Sequence, residues 1–415
     1  MTITRAHQPV VAPAVRTRTK LAHPALLLFG IVLVALNMRA CLAAISPMVG
    51  EVQRTFGLSS TASGLITTVP VLFQGLGAPL TPRLTRRFGT ERVVLGAVLV
   101  LGAGVLLRVL PSMAALYAGC MVIGVAIAVL NVSMPGLVKR EFPDKAATMT
   151  GVYSTTMLVG ATLAAGISVP LEKTLGGGWQ ASLGAWSLLA LIAAVAWLPQ
   201  VLLARQQKRA RQEKAVVAAA PVGRPIEGIW RSPLAWQISL FMGISSLLVY
   251  TLVAWMPTIL ADHGMDRGEA GLVFAFSNLV QVAGAFLVPL AAGRMTRQRG
   301  LAVTMVALNI VGITGLLVAP VSGAWVSAAV LGVAQGGSLG LALAFIVLRT
   351  GSAAGAAQLG GMTQAVGYLV AAAGPVGAGA LHQATGSWNL PLILMLAFAG
   401  VAAVAGWGAG RNRTL

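Results

Sequence analysis

Ala25-Leu26-Leu27-Leu28-Phe29-Gly30-Ile31-Val32-Leu33-Val34-Ala35-Leu36 opens an apolar run that continues to about residue 49, broken at its middle by Asn37 and Arg39. A helix needs about 20 mostly apolar residues to cross the hydrocarbon layer, and this run supplies them. It is too long for the core of a signal peptide and has no small-residue cleavage pattern after a short core, so it reads as a retained first helix. Outward from it, similar runs recur at roughly 35-residue spacing. They predict helices over 24–49, 61–81, 93–110, 113–135, 147–169, 180–203, 234–260, 269–291, 301–319, 324–348, 353–380 and 388–408. With 57% apolar and 9% charged residues in 415, the chain lacks the polar surface a water-soluble particle of that size needs. The fold class is therefore an all-α membrane protein with twelve transmembrane helices.

The charges orient it. Of 29 Lys and Arg, 24 fall on one set of alternate loops when the N-terminus is placed inside, and only Arg54, Lys173 and Arg267 lie on the other. This is the positive-inside pattern and places both termini in the cytoplasm. The formal net charge of +19 thus reports topology beside anionic headgroups rather than nucleic-acid binding. Arg39 and Arg108 are the two basic residues inside predicted helices. Cys41 and Cys120 read as small apolar fillers with no disulfide framework. Glycine, 49 residues in all, reads as close helix packing, as in the Gly332, Gly336, Gly340 spacing along one helix face.

The one long polar stretch, Arg205 to Arg231, separates two sets of six helices. The predicted organisation is a cytoplasmic tail over 1–23, a first half over 24–203, a linker over 204–233, a second half over 234–409 and a tail over 410–415. Two loci repeat in the same topological slots. Arg83-Leu84-Thr85-Arg86-Arg87-Phe88-Gly89 aligns with Arg294-Met295-Thr296-Arg297-Gln298-Arg299-Gly300 at an offset of 211, and Gly177-Gly178-Trp179 aligns with Gly386-Ser387-Trp388 at 209. Parallel repeats of this kind place a central site near the bilayer midplane.

These basic loops resemble the signature of the major facilitator superfamily, with Arg86 where that loop commonly carries an aspartate. Closer resemblance is to the cyanate permease and nitroimidazole transporter family. It is carried by Leu36-Asn37-Met38-Arg39, Gly64-Leu65-Ile66-Thr67-Thr68-Val69-Pro70-Val71-Leu72, Asn131-Val132-Ser133-Met134-Pro135-Gly136-Leu137-Val138-Lys139-Arg140-Glu141-Phe142-Pro143, Thr150-Gly151-Val152-Tyr153 and Ala254-Trp255-Met256-Pro257-Thr258-Ile259-Leu260. Ala40 departs from a proline common in that family. The resemblance implies the major facilitator fold, a bacterial inner-membrane location, and a small anion such as cyanate as substrate.

Arg39 is the central candidate. An ionised side chain at mid-helix depth costs roughly 2.5–3.5 kcal/mol by insertion scales, so it faces protein or a water-filled cavity, and its donor fork suits carboxylate-like or linear anions. Tyr250 occupies the equivalent repeat position and is expected across the cavity. Gln335, Gln364 with Tyr368, and Asn278 with Gln281 are further mid-helix polar groups expected to line it; the paired positions share helix faces by i,i+4 and i,i+3 spacing. Asn37 lies about 200° around the helix from Arg39 and is expected to bond a neighbouring helix. Asn131 and Tyr153 sit toward the cytoplasmic side, as candidates for gating, and Trp255 is grouped with them as a gating or packing residue. Arg108, near the outer end of its helix, reads as a structural residue whose side chain can reach the interface.

All ten acidic residues map to loops or helix ends. Any proton coupling is then expected to ride on a weakly acidic substrate, the alternative being anion uniport or exchange, with Glu51 and His382, at outer helix ends, as the fallback titrating candidates. The sequence has no metal-ligand cluster, no glycine-rich phosphate loop and no paired carboxylates at membrane depth, so no cofactor, metal or catalytic residue is assigned and the chain is not read as an enzyme. The expected function is secondary transport of a small anion or weakly acidic solute. The alternative is export of nitroimidazole-like or drug-like compounds; against it, the Gly-Pro pair common in helix five of drug antiporters stands here as Gly374-Pro375 on helix eleven.

Overall fold

A computed structural model describes residues 24–58, 60–214 and 226–415. The tail over 1–23 and the middle of the linker, 215–225, lie outside the described residues. In chain order the helices are α1 (Pro24–Ala43), α2 (Val49–Phe56), α3 (Ser60–Gly77), α4 (Thr81–Phe88), α5 (Thr90–Arg108), α6 (Met113–Glu141), α7 (Ala146–Leu175), α8 (Gly178–Lys214), α9 (Pro233–Asp262), α10 (Arg267–Arg294), α11 (Arg299–Val318), α12 (Ala324–Leu348), α13 (Ala353–Thr385) and α14 (Asn389–Ala409). Apart from the eight-residue α2 and α4, twelve helices of 18 residues or more remain among the described residues. Ten are each long and apolar enough to span a bilayer, and α7 is an eleventh when its segments, bent by 41° at residue 165, count as one span.

Helix ends differ from the apolar runs for physical reasons. The run predicted to 49 stops at Ala43, and a 3-10 turn over Ser46–Met48 leads into α2. Pro47 has no N–H to continue the ladder and disfavours helical backbone at Ser46. Elsewhere helices outlast their apolar runs. α7 and α13 continue to Leu175 and Thr385, where Gly176 (φ 65°) and Gly386 (φ 66°) close them in the left-handed conformation. α8 runs to Lys214, into the predicted linker, because Arg205 to Lys214 is built from strong helix formers. α6 passes through Pro135 to Glu141, as packed membrane helices tolerate.

The two repeat loci have structural counterparts. Trp179 and Trp388 are both buried, and their indoles bond different kinds of element: Trp179 Nε1 donates to Thr55 Oγ1 on the short α2 (3.1 Å), Trp388 Nε1 to Asp262 Oδ2 at the end of α9 (2.8 Å). The basic loops diverge. Residues 81–88 form α4, closed by Gly89 at φ 87°, whereas α10 passes to α11 through a short turn. Arg86 Nε bonds the Pro82 carbonyl (3.2 Å), while the charge network of that face runs from Arg140 to Glu91 (2.5 Å) and Glu141 (2.6 Å).

Glycine sets the closest helix approaches. A Cβ on Gly332 would lie 2.5 Å from the Ser277 carbonyl oxygen, and one on Gly340 2.7 Å from the Pro289 ring, so this face of α12 lies directly on the α10 backbone. Between the first six and the last six long helices, packing concentrates toward the face where α1 begins and α14 ends, called here the terminal face. Gly136 meets Ala353 and Ala357, Gly151 meets Phe286, and Ala147 meets Gly293. Two hydrogen bonds cross there: Ser154 Oγ to the Ala285 carbonyl (3.0 Å) and Lys139 Nζ to the Val347 carbonyl (3.0 Å).

Candidate functional site

Arg39 lies 15 residues into α1, about 22 Å from its start. The helix register turns Asn37 outward to α8, where its Nδ2 bonds the Leu189 carbonyl (3.1 Å) as well as Leu33 of its own helix, and turns Arg39 inward. Arg39 NH1 donates to Tyr250 Oη on α9 (3.2 Å), with the guanidinium carbon 5.7 Å from that ring's centroid. The Tyr250 ring meets Tyr368 of α13 edge to face, centroids 6.5 Å apart. Tyr368 Oη accepts from Asn131 Nδ2 of α6 (3.2 Å), and Asn131 Oδ1 accepts from Tyr153 Oη of α7 (2.8 Å). Tyr153 Oη is also 3.8 Å from the sulfur of Met38, the chain neighbour of Arg39. The contacts thus close a ring through five helices drawn from both halves.

Asn131, Tyr153 and Tyr368 are buried, whereas Arg39 and Tyr250 are half-buried. A guanidinium carries five N–H donors, and among the described residues Arg39 has one hydrogen bond, to Tyr250. The ring contains no carboxylate and no histidine. Its chemistry is a fixed cation with spare donors beside an aromatic wall and two amide or hydroxyl acceptors, which suits a small anion or a planar polar solute.

The other candidates are placed as follows. Gln364, one turn from Tyr368, is fully buried with neither amide atom bonded to protein. It stands 211 positions after Tyr153, so the repeats present a tyrosine and a glutamine at matching places. Gln281 and Gln335 bond each other across α10 and α12 (3.4 Å), and Asn278 bonds the Phe274 carbonyl of its own helix (3.0 Å), so neither group hydrogen-bonds into the ring. Trp255 Nε1 bonds the Pro375 carbonyl (2.8 Å) and its ring lies 5.3 Å from Trp388, a packing contact between α9 and the far end of α13. Asn131 and Tyr153, read from sequence as gate candidates, are members of the ring.

Gln74 escaped the sequence reading. It is buried on α3, with its Oε1 3.5 Å from Asn131 Nδ2. Its signal was the one that exposed Gln335, an amide inside an apolar run. Arg108 is a correction: its side chain does not reach the interface but is 1% exposed, with NH1 on the Cys41 carbonyl (2.8 Å) and Nε and NH2 unbonded. Gly119 explains it. A Cβ there would lie 2.6 Å from Arg108 Cα, so α6 lies directly against this residue and encloses it.

Among the described residues, ten helices, or eleven with the bent α7, are long and apolar enough to span a membrane, the architecture of a multi-pass membrane protein. The chain belongs to the major facilitator superfamily, whose sequence profile matches residues 27–375, and within it to the cyanate permease and nitroimidazole transporter family. It is 38% identical over 390 residues to the 2-nitroimidazole transporter of Escherichia coli (strain K12), covering 94% of this chain and 96% of that one. It is 27% identical over 366 residues to the cyanate transport protein CynX of the same organism, covering 87% and 91%. The proton:xylose symporter XylE bound to 6-bromo-6-deoxy-D-glucose shares the fold, with a TM-score of 0.73 over 94% of this chain and 97% of that one at 12% identity.

Proposed function

We propose that this transporter moves a small anion or weakly acidic solute, cyanate-like or small-carboxylate-like, across the bacterial inner membrane by alternating access, with Arg39 reading the negative charge. The observation that carries the reading is a half-buried guanidinium within the span α1 whose one described hydrogen bond goes to a phenol, Tyr250. A buried charge is retained where it is paired or functional, and an anionic substrate supplies the pairing. Tyr250 and Tyr368 would flank the solute, with Gln364 offering an unused amide. The similarity to a cyanate transport protein supports this choice.

The loop charges favour cytoplasmic termini. In that orientation the terminal-face packing between the halves lies on the cytoplasmic side. Rocking of the first half, 24–203, against the second, 234–409, would then break the Lys139 and Ser154 contacts. Proton movement enters with a weakly acidic substrate carrying its own proton.

The second reading is export of nitroimidazole-like compounds. The aromatic pair Tyr250 and Tyr368, and the similarity to a 2-nitroimidazole transporter, favour it. Counterflow in liposomes separates the two. Saturable exchange of labelled cyanate or a small carboxylate is the expected result. Exchange of 2-nitroimidazole without any anion exchange would overturn the first reading in favour of the second.

A further inference from the structure

The terminal face carries a second basic centre that the transport site does not use. Arg297, Arg299, Arg411, Asn412 and Arg413 line a cavity of about 290 Å³. Four arginines line it, and no acidic residue is among the described lining residues.

The cavity is built rather than accidental. The tail that brings Arg411 and Arg413 is docked by backbone contacts. Gln298 N–H bonds the Gly410 carbonyl (3.0 Å), Arg349 Nε bonds the Ala409 carbonyl (3.0 Å), and Leu415 N–H bonds the Arg349 carbonyl (2.8 Å). Arg349 also bonds Gln298 Oε1. A Cβ on Gly410 would lie 2.6 Å from the Arg299 nitrogen, so the tail is seated directly on the first turn of α11. Gln298 spends its amide N–H groups on the Ala292 and Met295 carbonyls and does not cap that turn, leaving the positive end of the helix dipole toward the arginines. Arg299 Nε is buried with no hydrogen-bond partner among the described residues, and its guanidinium stacks 4.9 Å over Trp407. Trp407 is half exposed near the end of α14, the level where indoles mark the headgroup region of a bilayer.

Holding four like charges in one cavity is costly unless an anion joins them. Guanidinium forks match the oxygens of a phosphate, and the depth of Trp407 matches a phosphodiester. We propose that this cavity binds a phosphate group, supplied by the headgroup of an anionic phospholipid in the adjoining leaflet. Arg297, Arg411 and Arg413 are exposed and provide the attraction, while Arg299, steadied on Trp407, sets the inner wall.

The test uses the full chain and the triple variant Arg297→Gln, Arg411→Gln, Arg413→Gln, which spares the stacked Arg299. A control variant, Arg83→Gln, Arg86→Gln, Arg87→Gln, removes the same charge from the corresponding loop of the first half. Each is placed in nanodiscs of phosphatidylglycerol and phosphatidylcholine in equal parts, and co-retained lipid is counted by native mass spectrometry. Thermal shifts in inorganic phosphate against chloride at equal ionic strength form the second arm. The wild type is expected to retain phosphatidylglycerol over phosphatidylcholine, and the triple variant to lose that preference by about a hundredfold, at about fivefold for each cationic group removed from the cavity, while the control keeps it. Stabilisation by inorganic phosphate without lipid preference, lost in the triple variant alone, would keep the phosphate site and change its source. Equal losses in the triple and control variants, or no phosphate or lipid effect in either arm, would overturn the proposal.

Discussion

Arg39 and Tyr250 stand 211 residues apart in the chain and touch at 3.2 Å. That separation is the same offset that aligns the two basic loops, so the contact joins one repeat position to its own counterpart. A guanidinium on α1 thus faces a phenol on α9. The asymmetry leaves one net positive charge at the centre of the pair.

Tyr250→Phe keeps the ring and removes the hydroxyl that holds Arg39. Losing a hydrogen bond to a charged group costs about 1.5 kcal/mol or more, and substrate affinity is expected to fall about tenfold. Tyr250→Ala should cost more by removing the aromatic wall as well. Titration of the purified variants by isothermal calorimetry checks the order.

The described ring holds no carboxylate or histidine, the side chains that ordinarily titrate between about pH 4 and 7. Binding of an anion that stays ionised is therefore expected to vary by less than about twofold between about pH 5.5 and 8. A weak acid should instead follow its own ionisation. A steep pH dependence for a permanently ionised ligand would place a titrating protein group in the binding step.

Much of this was legible in the sequence because lipid imposes simple rules. Apolar runs located the spans, whereas the Arg83 and Arg294 loops, alike in sequence, take different structures, α4 in one and a short turn in the other. The ring was only partly legible. Mid-helix depth marked Arg39, Tyr368 and Gln364, but period and depth do not say which helices become neighbours. Gln281 and Gln335 satisfied the same criterion and bond each other, while Gln74 and Asn131 met the ring through α3 and α6. Arg108 was misread because a position near a helix end says nothing of a facing Gly119 that lets the next helix enclose it.

Lys139 bonds the Val347 carbonyl at the end of α12 across the two halves (3.0 Å). Lys139→Met keeps the aliphatic stem and deletes the charge-assisted bond, worth about 1.5 kcal/mol, or roughly tenfold in population. Spin labels at the exposed positions 145 and 294, on opposite halves of the terminal face, should show a longer-distance population in this variant. Unchanged distances would remove Lys139 from the closure.

Gly336 faces the backbone of α10 so closely that an added Cβ would collide with the Gln281 carbonyl. Gly336→Ala is expected to destabilise the protein by about 1–3 kcal/mol. Gly271, on α10 with nothing within 4 Å of its would-be Cβ, is the internal control, and Gly271→Ala should be neutral or slightly stabilising. Thermal unfolding in detergent compares the two.

The central claim is that Arg39 reads a negative charge on the substrate. The direct measurement is anion counterflow in liposomes by wild type, Arg39→Lys and Arg39→Gln at matched protein density. Arg39→Gln is expected to lose about tenfold to a hundredfold in apparent affinity, with Arg39→Lys recovering part of it because the charge returns without the fork. Anion counterflow by Arg39→Gln equal to that of the wild type would contradict the account.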